Sequence, residues 1–201
     1  MQANNRTTEQ ERTFTEAARR AQIVGAAIEV IADLGYGKAT FARIAERAGL
    51  SSTGMISYHF KGKDDLMREV VAEVLRVVGA YMVPRIEAES TARGRLRAHI
   101  ESNIAALAEY PKHLPAVVEV LTNTRMPDFD ASMDAFLHDI ADRLRAAQAA
   151  GEFGEFDPWV MALAIRSAID AVVSRAATDP GLDLALIGRE LADLFDRATR
   201  K

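Results

Sequence analysis

Between Thr40 and Lys63 the chain reads TFARIAERAGLSSTGMISYHFKGK, a stretch that restricts the backbone to two short helices meeting at a sharp angle. Phe41, Ile44, Ala45 and Ala48 recur at spacings of 3, 1 and 3, which makes one apolar helical face. Gly49 comes next, and glycine ends helices well because it takes positive φ without a Cβ clash. Ser51 and Ser52 are both good N-caps for a second helix over about Thr53 to Phe60. In that helix Met55, Ile56, His59 and Phe60 are expected to face inward, leaving Thr53, Ser57 and Tyr58 outside.

With small Ala45 where the helices cross and glycine at the turn, the pair is a helix-turn-helix arrangement, which lays its second helix in the DNA major groove. That helix offers Thr53, Ser57, Tyr58 and His59 to DNA but no arginine. The bidentate guanine contact that arginine makes therefore falls to Arg43 on the first helix, with hydroxyls and a thymine-methyl contact doing the rest. Gly35-Tyr36, Thr40, Ile44-Ala45, Ala48-Gly49-Leu50-Ser51, Gly54, Tyr58-His59-Phe60, Lys63 and Leu66 together resemble the N-terminal domain of the TetR family of transcriptional repressors. The resemblance covers roughly a quarter to a third of the chain. It implies that Thr40, Tyr58, His59 and Lys63 lie at phosphates, which fix register without reading sequence. For His59 the alternative is a packed histidine under the first helix of the chain.

Charge fits such a division unevenly distributed along the sequence. The net charge is −4 overall, but residues 1–63 carry nine Lys and Arg against six acids, +3, which leaves −7 for residues 64–201. A small basic head on an acidic body suits sequence-specific reading better than general coating of nucleic acid, where positive charge supplies the binding. At 201 residues and 49% hydrophobic side chains there is material for one or two cored domains. With no cysteine, disulfides, thiolate zinc sites, iron–sulfur clusters and a cysteine nucleophile are excluded. The polar start MQANNRTTEQER has no signal-peptide core and no apolar run reaches membrane-spanning length, so a cytoplasmic protein is expected.

Periodicity predicts an all-α chain of about nine helices, with a three-helix head over residues 1–63 and a helical effector-binding and dimerisation body over 64–201. Residues 1–12 read as a polar arm containing Arg6 and Arg12, ahead of a capping box at Thr13-Phe14-Thr15-Glu16 that starts the first helix. Its inner stripe is Ile23, Ala27, Val30, Ile31 and Leu34. The fourth helix opens at Lys63-Asp64-Asp65 and runs to Pro84, from head into body. In the body, Pro111, the Met126-Pro127-Asp128 break, Gly151 to Gly154 and Asp179-Pro180-Gly181 separate the remaining helices, the eighth opening at Asp157 and Pro158.

The eighth helix has only Arg166, Asp170 and Arg175 as charges between Pro158 and Thr178, so little of it suits water. Val160, Ala164, Ser167, Ala171, Ser174 and Thr178 form a stripe of mostly small residues along it. In the ninth, Leu184, Ile187, Leu191, Leu194 and Ala198 make a coiled-coil-like seam. Two such helices from each of two chains form a four-helix dimer interface, which is also what the resemblance implies; the alternative is packing on their own body alone.

For catalysis the residues offer no recognisable constellation, and neither an enzyme nor a cofactor is expected. Asp134, His138 and Asp142 share a helical face at i, i+4 and i+8, a spacing that reads better as a solvated stripe than as a metal site. Arg166 and Asp170 are either a surface pair or, sharing a face with Trp159, the polar fixing groups of an apolar cavity. Asn103, in the middle of an apolar stripe, needs a partner if buried and is a ligand candidate. The resemblance adds Phe129 and Phe136 as walls, since body helices of this family enclose a small apolar effector. It further implies a homodimer on a near-palindromic double-stranded operator, with effector binding altering the spacing of the two heads. A helical carrier or sensor that binds no DNA is the alternative.

Overall fold

In a computed structural model the chain is helical throughout, with the backbone described for residues 3–201 and side chains from residue 15 onward. The described residues form nine α-helices and one 3-10 turn, with no strand among them. These are α1 (Ala3–Leu34), the turn Tyr36–Lys38, α2 (Phe41–Arg47), α3 (Gly54–His59), α4 (Lys63–Glu87), α5 (Ala92–Glu109), α6 (His113–Asn123), α7 (Pro127–Ala149), α8 (Pro158–Ala176) and α9 (Leu184–Ala198). Among the described residues, no helix is long and apolar enough to cross a membrane.

The helix ends follow local chemistry. The side chains of Thr40, Thr91, Asp157 and Asp183 each accept a hydrogen bond from a backbone N–H one or more residues into the helix that follows. At the end of α2, Gly49 has φ +65°. Its N–H reaches the Glu46 carbonyl, and the Leu50 N–H reaches that of Ala45, the paired bonds that close a helix on a left-handed residue.

Three boundaries depart from the sequence reading. Helix α1 begins at Ala3, ahead of Thr13, because no glycine or proline stands between the two and Glu, Gln and Arg favour continuation. The side chains of Arg6 and Arg12 lie outside those described. The N-cap of α3 is neither serine: it is Thr53, whose carbonyl takes the Ile56 and Ser57 N–H groups while its hydroxyl caps nothing. Helix α4 passes through Pro84 to Glu87. The missing N–H would have bonded to Ala80, an exposed residue, and only the last turn lies beyond, so little is lost.

Contacts divide the chain into two compact units, Met1–Val74 with Ala116–Thr124, and Leu75–Pro115 with Arg125–Lys201. The core of the first contains Ile23, Val30 and Ile31 of α1, Ile44 of α2, Ile56 of α3 and Leu66 of α4, all essentially without solvent exposure. Leu34, predicted inside, is 41% exposed. The second unit buries Ile100 and Ile104 of α5, Ile140 and Leu144 of α7, Ile165 of α8 and Phe195 of α9. Helix α9 comes close to α5 where Gly188 faces Ile104, and Arg93–Asp196 and Arg97–Asp193 pairs flank that contact. The loop after α7 is stitched to the chain end by the Gly154 N–H on the Thr199 carbonyl at 2.9 Å, with Phe153 buried beside it.

Candidate nucleic-acid interface and cavity

The first unit presents α3 with Ile56 and Phe60 as its buried edge, four residues apart and one turn of helix. Thr53, Ser57 and Tyr58 are exposed, as are Ser51 and Ser52 in the turn before them. Met55, predicted inside, is 40% exposed. It lies about 100° around the helix from Ile56, and a six-residue helix has room to bury only one narrow edge. An apolar side chain on the groove-facing helix is suited to a thymine methyl.

Tyr58 is the most exposed large side chain here, at 73%, with its hydroxyl donating to the Glu16 carboxylate at 3.3 Å and its ring edge-on to His59. His59 is half-buried, and its carbonyl accepts from Arg20, whose guanidinium also pairs with Glu69 at 2.8 Å and covers the Phe60 ring. Arg20 thus holds the end of α3 against α1 and α4, a role that its place in a long amphipathic helix did not disclose. Thr40 caps α2 by accepting from the Arg43 N–H, and the exposed Arg43 guanidinium rests on the Lys38 carbonyl at 3.3 Å. Lys63 donates to the Tyr36 carbonyl at 2.9 Å with its ammonium over the Tyr36 ring, so this cation already anchors the turn between α1 and α2. The Tyr36 N–H donates to Glu119 of α6, which belongs to the same unit. The exposed surface therefore combines hydroxyls, an imidazole and Arg43 on a scaffold braced by separate ion pairs, among them Arg47 with Glu29 and Asp33.

The second unit contains a cavity of about 820 Å³ lined by parts of α4, α5, α7 and α8 and by Phe153. That volume lies within the roughly 300–1,000 Å³ of small-molecule sites. Its wall is mainly apolar, with Leu75, Val78 and Met82 on one side and Met133 and Ile140 on another. Four residues singled out in the sequence line it, namely Asn103, Phe129, Phe136 and Arg166. Trp159 and Asp170 do not. Trp159 packs on His138, with ring centroids 4.6 Å apart, and Asp170 accepts from Arg166 at 2.9 Å, both at the surface. The Asn103 amide donates to the His99 carbonyl one turn back at 3.0 Å, which occupies one of its two N–H groups.

His99 is the lining residue that the sequence reading passed over. It precedes Asn103 by four residues and so shares its face, which was the available signal. Its ring lies 6.0 Å from that of Phe136. Burial pushes its pKa down to about 4, helped by the positive charges of Arg166 and Arg143, so it is neutral at pH 7. Outside the cavity, His138 lies against Asp134 while Asp142 pairs with Arg145, all well exposed, the arrangement of a solvated stripe.

Residues 23–70 match the family model for bacterial regulatory proteins of the tetR family. The HTH-type transcriptional regulator BetI 1 of Chromohalobacter salexigens is 41% identical over 86 residues, so the match spans 42% of this chain and 42% of that protein. Among solved structures, the transcriptional regulator FadR from Bacillus subtilis, in complex with stearoyl-CoA, superposes with a TM-score of 0.75 at 24% identity, covering 87% of this chain and 96% of that one. AibR in complex with isovaleryl coenzyme A and operator DNA gives 0.74 at 17% identity, covering 88% and 97%. The fold is common to this chain and the two solved structures. The matched module is folded here as α1 to the start of α4, so over residues 23–70 the chain carries a helix-turn-helix domain matching that of the tetR family of bacterial regulatory proteins.

Proposed function

We propose that this protein is a cytoplasmic, non-enzymatic transcriptional repressor that binds a palindromic double-stranded operator as a homodimer and is released by a small, mostly apolar effector. Residues 1–63 serve as the DNA-binding domain and residues 64–201 as the effector-binding and dimerisation domain. The observation that carries the reading is the capped pair α2–α3, whose exposed face of Thr53, Ser57 and Tyr58 has no role in its own core. Thr40, Tyr58, His59 and Lys63 take phosphates; Arg43 reads a base edge, and Ser51, Ser52, Thr53 and Ser57 complete the groove contacts. Met55 joins them as an apolar contact.

The dimer reading places α8 and α9 at the interface. In support, every residue of the stripe Val160, Ala164, Ser167, Ala171, Ser174 and Thr178 is exposed in the single chain, and Leu163, Leu186 and Leu194 are 45%, 46% and 50% exposed. Effector binding is supported by the largely apolar cavity and by the acyl thioesters held in FadR and AibR, proteins of the same fold. Release follows when the effector favours a dimer whose heads are spaced wrongly for successive major grooves, and its leverage equals its differential affinity for the two spacings.

Selection of DNA from a random pool by the full chain tests this reading. Enrichment of an inverted repeat with half-sites a helical turn apart, or a multiple of it, is the expected outcome. Recovery of no consensus, or of one lacking dyad symmetry, refutes it.

A further inference from the structure

The cavity is mainly apolar, and arginine is the commonest charged residue of its lining. Arg95 of α5, Arg143 of α7 and Arg166 of α8 reach its lining from three separate helices. Arg166 is paired on the surface side with Asp170, which is not part of the lining. Arg143 pairs with Asp139 at 2.9 Å, and the Arg95 guanidinium donates to the backbone carbonyls of Glu89 and Ser90. The acids of the lining are Glu87 and Asp139.

His99 stands among these groups with its ring against Phe136, and among the described residues neither ring nitrogen has a hydrogen-bond partner. The ring nitrogens are not sealed away, since the buried side-chain polar atom left without a partner among the described residues is the Thr124 hydroxyl; the His99 ring instead offers its N–H to whatever occupies the cavity. The charges that act on it are Arg166 and Arg143, held in ion pairs with Asp170 and Asp139, and across the lining three arginines stand against two acids, one net positive charge. That field repels a cation and attracts an anion.

We propose that the effector is the anion of an apolar carboxylic acid, with a carboxylate oxygen accepting a hydrogen bond from the His99 ring, Arg143 and Arg166 supplying the positive field, and the hydrocarbon filling the apolar part of the cavity. The proposal rests on the cavity being the effector site, and it adds the chemical class of the effector. The excess of arginine over acid in the lining favours a carboxylate over an ammonium, and the N–H of a neutral His99 suits a carboxylate oxygen better than it suits an alcohol. A second consequence is proton uptake. Once a carboxylate sits against His99, the opposing influence of Arg143, Arg166 and burial is countered, the ring pKa rises from about 4, and binding tightens as pH falls toward the pKa of the complex.

Sodium decanoate, 1-decanol, decylamine and decanoyl-CoA, each titrated calorimetrically into the full-length protein in buffers of different ionisation enthalpy, separate the possibilities. Decanoate is expected to bind at least tenfold more tightly than decanol, with decylamine weakest and with proton uptake at pH 6. His99→Phe is expected to reduce the preference for decanoate over decanol to within about twofold and to abolish the uptake; Arg166→Gln is expected to reduce the same preference without a change in the ring. Equal binding of decanoate and decanol, or a preference for decylamine, overturns the carboxylate assignment and leaves the cavity as effector site. Tight binding of decanoyl-CoA with none of decanoate does the same and transfers the site to a thioester. If none of the four binds, the effector reading of the cavity fails, and this inference with it.

Discussion

Individual side chains at the DNA face divide into those that hold the scaffold and those that remain available. Arg20 and Arg47 are committed to carboxylates within the first unit, while Lys63 holds the Tyr36 carbonyl in addition to the phosphate proposed for it. Arg43 and Tyr58 are different: Arg43 rests on a backbone carbonyl, and Tyr58 on a long hydrogen bond to Glu16 and the edge of the His59 ring, both at the surface. Arg43→Ala is expected to cost about 1–3 kcal/mol at one base pair of each half-site and to relax preference there. Tyr58→Ala is expected to weaken binding to operator and random DNA alike. Competition titrations with operator variants measure both, and a uniform loss for Arg43→Ala or a selective one for Tyr58→Ala would exchange their roles.

Helix boundaries at the level of elements were readable wherever a side chain or a glycine closes the backbone locally. Asp157 caps the helix that it precedes and Gly49 takes the left-handed conformation that ends α2, both as read from the sequence, whereas the caps at Thr40 and Thr91 came only with the structure. Reading failed where the deciding contact is distant. Nothing local marks Gly154 beyond its being a loop glycine, yet a Cβ there would stand 2.3 Å from the Arg200 carbonyl oxygen, far inside contact distance. Gly154→Ala must therefore move the loop or the end of the chain after α9, breaking the Gly154–Thr199 bond and shifting Phe153 in the core. A destabilisation of about 1–3 kcal/mol in urea unfolding is expected, and a wild-type midpoint would show that the chain end yields freely.

For the whole molecule, the acidic body and its uncovered helices pose the question of what lies against them. The stripe on α8 leaves Ala171 exposed among Ser167, Ser174 and Val160, and the cation one turn on, Arg175, is already paired with Asp179. Burying an unpaired carboxylate at a dimer contact costs several kcal/mol, so Ala171→Glu is expected to yield monomers while the isolated fold is retained. Sedimentation equilibrium and helical circular dichroism together make the measurement: an undisturbed dimer would move the interface away from α8. Helices α4 and α6 each contribute residues to both compact units, and only α4 was expected to do so.

The sequence by itself determined the all-α class, the order of the helices and the helix-turn-helix with its likeness to the tetR family, because periodicity, caps and short motifs act over a few residues and are written in adjacent letters. It also placed Asn103 and Arg166 on faces that needed an explanation. Only the tertiary structure decided that His99 joins them at the cavity while Trp159 and Asp170 turn to the surface, since which of two neighbouring helical faces is enclosed depends on how α5, α7 and α8 pack. It likewise decided that Met55 is exposed and that Thr53 opens α3, because a helix of one and a half turns has too few residues for its period to choose a side, and the packing of Ile56 and Phe60 chooses it instead.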